Sequence, residues 1–130
     1  MSAQAHVDAV KALIGSGVRL FEGERPETSP LPCAVLFMDN GTSARTNLCP
    51  ISDRRDVSFQ VTSVALDGTG ARSVAERIRT SVLDKRPVIA GRRTWRVVQD
   101  AAEPLRVDRD VTPHLLYVVD VYSFSSIPAV

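Results

Sequence analysis

An aspartate inside an apolar strand is where chemistry would start, and "LLYVVDVYSF" (residues 115–124) carries one, Asp120. A carboxylate held on a rigid strand can serve as a general acid or base if a second group stands within reach of the same proton. Alternation places Leu115, Tyr117, Val119 and Val121 on one side of the segment. Leu116, Val118, Asp120, Tyr122 and Phe124 share the other. No second carboxylate stands at a fixed spacing from Asp120, and a lone buried acid is costly. Asp120 is therefore expected to pair with an arginine on a neighbouring strand, or to face water or another subunit.

"LDGTGARS" (residues 66–73) is G-x-G-x-x-S between a strand and a helix, the place of a dinucleotide fingerprint. Such a site needs an acid about 20 residues on, at the end of the next strand. Here that distance reaches "KRPVIAG", which has none. A tight turn with Thr69 as helix N-cap explains the same residues. The alternative it leaves is a small anion- or nucleotide-binding enzyme domain with the glycines as an anion nest.

His6 falls on the polar flank of the first helix and His114 follows Pro113 at a strand entrance. Neither has a second ligand at helical or hairpin spacing, so no metal site is expected. Nucleophile-elbow, P-loop and HExxH patterns are missing, and nothing in the sequence brings Cys49 to His114. Cys33 lies in an apolar run and reads as a small buried residue of a reducing compartment, in preference to a disulfide with Cys49. The expectation is a protein with no catalytic residue, no cofactor and no metal.

These residues sit on a chain of 130 residues, 44% hydrophobic and 24% charged, with a net charge of +1. That is the length of one domain able to bury roughly two-thirds of its unfolded surface. The small net charge gives no global drive toward nucleic acid or an anionic membrane. No apolar run approaches the roughly 18 residues of a membrane span. "MSAQAHVDAVKALIG" lacks the basic and continuous apolar regions of a secretory signal.

Ser2 can cap a first helix with Ala3, Val7, Val10 and Ile14 inward, ended by Gly15 and Gly17. Short strand Val18 to Phe21 precedes a proline-rich loop, and Cys33 to Met38 suits a central strand. From Asp39 to Asp56 the chain is polar and loop-like, with a hairpin signal at Asn40-Gly41. Either hairpin arms extend past the sheet through residues 42–55, or residues 40–56 are a long loop of the kind that is usually functional or disordered. A half-wet strand starts at Val57, and a helix from about Ala71 to Leu83 buries Ala71, Val74, Ile78 and Val82. "RTWRVVQD" and "LRVD" read as two strands of a hairpin, and residues 115–124 as the last strand. The order helix, three strands, helix, three strands predicts a single α+β domain over residues 1–130, its largely antiparallel or mixed sheet carrying both helices on one face.

Charge is segregated late in the chain. Lys85, Arg86, Arg92, Arg93 and Arg96 form a basic run that holds Trp95 and no acid. Asp100, Glu103, Asp108 and Asp110 follow and outnumber Arg106 and Arg109. Cross-strand pairing within one hairpin would explain this. So would a head-to-tail contact, a basic patch of one subunit against an acidic patch of the next. Single-stranded nucleic acid binding would want several aromatics among the cations, and Trp95 stands alone. The candidate interface residues are Asn40, Arg45, Arg54 and Arg55 from the long loop, then Arg92, Arg93, Arg96, Glu103, Asp108, Asp110 and Asp120.

The layout resembles the tail terminator, or tail-completion, proteins of phages with long non-contractile tails. "DVSFQVTSVALDGTGARSVAERIR" and "DVTPHLLYVVDVYSF" carry most of the likeness, with "LPCAVLFMDNG" ahead of them. The resemblance covers most of the chain as a pattern, and neck and head-completion connector proteins share parts of it. It implies a small α+β subunit that forms a hexameric ring on the end of the tail tube, stops its growth and presents a surface to the head connector or stopper. DNA would pass through the lumen without specific binding, and no catalysis or membrane is implied. The implied location is the tail–neck junction of the virion, after assembly in the host cytoplasm. No functional residue transfers one by one, because the family is defined by shape more than by fixed side chains.

Overall fold

The computed structural model describes residues 3–25, 30–39, 42–46 and 49–129, with backbone alone for 42–46 and 49–53. In chain order the elements are α1 (Ala3–Ile14), β1 (Leu20–Glu22), β2 (Cys33–Met38), β3 (Thr42–Thr46), β4 (Cys49–Ala65) and α2 (Gly68–Val82). Then come β5 (Arg92–Thr94), β6 (Val98–Ala102), β7 (Arg106–Asp108) and β8 (Leu115–Pro128). The eight strands form one sheet in the order β1-β2-β4-β8-β5, with β3 beside β4 and with β6 and β7 beside β8. β1 and β2 are parallel and all other pairs are antiparallel, so the sheet is mixed.

Alternation along the two longest strands decides which face is buried. β4 and β8 pair from Arg55 opposite Ser126 to Ala65 opposite Leu116. This register puts Val57, Phe59 and Val61 on the same side as Tyr122 and Phe124. α1 packs Val7, Ala9, Val10 and Ile14 on that side, and α2 packs Val74, Ile78 and Val82. Phe59 stacks on Tyr122, its cross-strand neighbour, at 5.4 Å and meets Phe124 edge-on at 6.3 Å. Each such buried side chain contributes roughly 1.5–3 kcal/mol, which holds the helices on this face. The fold is α+β, with both helices on one side as the pattern predicts. Ser58, Gln60, Thr62, Val119, Val121 and Ser123 occupy the opposite face, half-buried and away from the helices.

Several boundaries differ from the sequence expectation, each for a physical reason. β1 begins at Leu20, after Val18. Residues 42–46 and 49–56 are strand, not loop: β3 and the first part of β4 pair as hairpin arms, with Thr46 opposite Cys49. The Asn40-Gly41 signal and the Ser2 cap lie outside the described residues. The β4–β8 pairing begins at Arg55, so the first six residues of β4 extend roughly 20 Å past it at ~3.3 Å per residue. Pro50, which offers no N–H, stands in this arm where a strand tolerates it. Hence the element order is helix, four strands, helix, four strands.

The hairpin expected within residues 92–108 does not form. β5, β6 and β7 all pair with β8 and make one interrupted edge strand along it. β8 itself runs on to Pro128, four residues past the expected end at Phe124. Cross-strand pairing within a 92–108 hairpin therefore cannot explain the charge segregation.

α2 starts at Gly68, and its N-cap is Asp67, not Thr69. The Gly70 N–H donates to Asp67 Oδ1 at 2.6 Å. A Cβ on Gly70 would stand 3.0 Å from both the Ala65 Cβ and that carboxylate oxygen, so glycine permits the close cap. Cys33 is free and buried among Val64 and Leu115, and burial pushes its thiol pKa up against the pull of Arg25 and Arg19. No helix among the described residues is long and apolar enough to cross a membrane.

Candidate assembly interface

The interrupted edge strand sorts the late charges by position. Arg92 lies opposite Pro128 at one end, and Asp108 lies opposite Leu115 at the other. Between them the strand leaves β8 because fully buried Val97 bonds elsewhere. Its N–H donates to the Lys85 carbonyl at 2.8 Å, and its carbonyl accepts from the Asp84 N–H at 2.9 Å. On either side of that detour Trp95 is 45% and Val98 50% exposed, both large for a surface. Together with Arg54, Arg86 and Arg96 they line a groove of about 480 Å³ floored by Ser123, Phe124 and Ser125.

The candidate residues separate into distinct environments. Arg92 is an anchor. Its Nε donates to Ser126 Oγ at 2.9 Å and its Nη2 to the Ser126 carbonyl at 3.1 Å. The same hydroxyl meets His6 Nε2 at 2.8 Å, and the His6 ring stacks on Phe124 at 6.1 Å. His6 is therefore buried at 2% exposure, not on a polar flank, and joins α1 to β8. Arg93 and Arg96 are exposed. Arg54 pairs with Asp56 at 3.2 Å, and Ser125 Oγ donates to the same carboxylate at 2.6 Å. Arg55 is half-buried opposite Ser126. Arg45 belongs to β3, and its side chain and Asn40 lie outside the described residues.

At the acidic end Glu103 is exposed and sits 3.6 Å from Arg106. Asp108 Oδ1 accepts the Asp110 N–H at 3.0 Å, which shapes the turn into the β7–β8 loop. Asp110 is exposed. His114 is exposed as well and has no metal-ligand cluster around it among the described residues.

Asp120 is 8% exposed, and among the described residues no arginine of a neighbouring strand pairs with it. Gln99 of β6 donates to its Oδ1 at 3.2 Å. Burial raises its pKa first of all, Arg79 of α2 opposes this, and Glu76 adds to it. These groups line a shallow cleft between α2 and β6. Tyr122, two residues on, has its phenol pKa driven well above the ordinary value by burial and by Asp120.

At α2 the Asp67 carboxylate already takes the Gly70 N–H, placing negative charge where an anion nest would need its ligand. The candidate interface residues did not include Val98, or Arg86 of the basic run. "TWRVV" reads as strand alternation, and only the β8 register brings Arg54 close to residues 95–98.

The helices cover one face of the sheet, a hairpin arm runs past the β4–β8 pairing, and the edge strand passes from a basic run to a mostly acidic one. The family model for tail completion protein gp17 matches residues 2–121, and the chain belongs to that family. It is a structural protein of phage tails. A chain from the virion of a native gene transfer agent particle is similar in structure, with a TM-score of 0.62 and 11% identity. That likeness covers 97% of this chain and 92% of the other, and establishes the shared fold. The search of curated proteins finds no match.

Proposed function

We propose that this protein is the tail terminator: a ring, hexameric in our reading, that caps the tail tube, ends its polymerisation and offers the head–tail joining surface. The observation that carries the proposal is the tail-completion match over residues 2–121. Two features support it. The edge strand is basic around β5 and, from Asp100 to Asp110, carries acids that outnumber Arg106 and Arg109, which suits a head-to-tail contact that closes into a ring. The β3–β4 arm extends beyond the β4–β8 pairing, where it can reach a second protein.

In this reading residues 1–130 act as one α+β domain with no catalysis, cofactor or metal. The partners are other copies of the chain, the tail tube protein and the head–tail connector or stopper. DNA passes through the lumen, and a net charge of +1 gives little of the phosphate affinity that would hold it. The protein resides at the tail–neck junction of the virion, after assembly in the host cytoplasm.

Phage lacking the protein are expected to make tails of uncontrolled length that do not join heads. Tails of normal length beside heads that leak DNA would favour a neck or head-completion role.

A further inference from the structure

We propose that the groove formed by Arg54, Arg86, Trp95, Arg96 and Val98 of one copy receives the acidic β7–β8 loop, Asp108 to Val111, of the next. This rests on the ring reading above and names the two surfaces that build the ring. The groove combines uncovered apolar area with unmatched positive charge. Trp95 and Val98 are about half exposed, and Arg86 and Arg96 have no ion pair among the described residues. The nearby carboxylate, Asp56, is engaged by Arg54 and Ser125.

The loop offers the complement. Val107 and Val111 are 42% and 38% exposed, Leu66 is 56% exposed, and between the two valines lie Asp108, exposed Arg109 and Asp110, two acids to one base. Both surfaces thus expose apolar side chains next to charge, of opposite net sign. A fit between them buries the apolar parts together and neutralises arginines with aspartates.

They cannot meet within one chain. Trp95 bonds to Ser125 of β8, and Asp108 lies opposite Leu115. Ten residues of β8 separate those points, roughly 33 Å at ~3.3 Å per residue. Each copy therefore carries one donor and one acceptor surface, the requirement for a heterologous ring. A phosphate backbone would match the arginines but gives Val98 no apolar counterpart, and one tryptophan makes no stacking platform.

Light scattering across a concentration series tests this on the full chain. Wild type is expected to reach the mass of a ring. Arg86→Glu/Arg96→Glu and, separately, Asp110→Lys are each expected to run as monomers with unchanged melting temperatures. Mixed equally, those two variants should recover higher assembly by alternating, because the unaltered groove meets the unaltered loop and the two charge-reversed surfaces match each other. Trp95 is the chain's one tryptophan, so that assembly should shift its emission to the blue. Joining all three substitutions in one chain should restore higher assembly, because the reversed charges match again.

Rings from both charge variants would overturn the inference and leave the ring reading intact. Unchanged mass with lost retention on DNA would overturn it in favour of a nucleic-acid groove. A wild type monomeric at every concentration would also overturn it. The terminator role is judged separately by tail length.

Discussion

Replacing Asp67 with alanine is expected to lower stability by about 1–2 kcal/mol, through one hydrogen bond and one charge. The first N–H groups of α2 have no acceptor within the helix. Asp67 Oδ1 supplies one to Gly70 at 2.6 Å. Loss of an N-cap acceptor typically costs about 1 kcal/mol, and loss of an anion at the positive helix end a further ~0.3–1 kcal/mol. Unfolding entropy of about 2.1 cal/mol/K per residue gives roughly 0.27 kcal/mol/K for this chain. The melting temperature should then fall by about 4–7 °C. Asp67→Asn keeps an acceptor and loses the charge, so it should fall by less. Thermal unfolding followed by circular dichroism at low salt reads all three proteins. Inorganic phosphate should not stabilise wild type, because the carboxylate already occupies the helix end. An alanine variant that melts with wild type would refute the capping argument, and stabilisation of wild type by phosphate would restore the anion-nest reading.

Tyr122→Phe should leave stability unchanged or raise it by up to about 1–3 kcal/mol, because the phenol is buried with no hydrogen-bond partner among the described residues. Chemical denaturation checks this, and a loss of stability would mean the hydroxyl is satisfied. For Asp120 the folded pKa lies above the ordinary 3.8, so the folded state holds the proton more tightly. Stability from this group is present below that value and is lost as pH rises through the folded pKa. Asp120→Asn should remove that part of the pH dependence, and an unaltered profile from acidic to neutral pH would show that Asp120 does not contribute. Replacing residues 42–54 with a short turn keeps the β4–β8 pairing from Arg55 and the β2–β4 pairing from Phe59. Such a chain should fold cooperatively and fail to join tails; joining at the wild-type level would release the arm from any contact role.

Where apolar residues face the core, the fold was legible in advance. The alternation of Val57, Phe59 and Val61 and the helical spacing of Val74, Ile78 and Val82 are direct consequences of burial. β2 is bounded as expected because its apolar run is continuous. The β3–β4 arm gave no such signal. "TSARTNLCPISDRRD" has no run of alternating apolar residues, and its strands are recognised by their pairing alone. Long-range register was equally hidden. Nothing local tells that residues 92–108 follow β8 along its length instead of folding back on themselves, or that Arg54 comes near Trp95. His6 shows the same limit: its helical position suggested solvent, but Ser126, 120 residues away, satisfies it in the core. Among the candidate interface residues, Arg92 and Asp120 proved to be turned inward, a matter of tertiary packing that residue type does not reveal.

Cryo-electron microscopy of the neck of intact virions tests the central claim most directly. The account predicts a ring of this α+β fold between the last layer of the tail tube and the head connector, with residues 42–54 directed at one of those neighbours. Finding the chain at the far end of the tail, on the head side of the connector, or nowhere in the particle would contradict it.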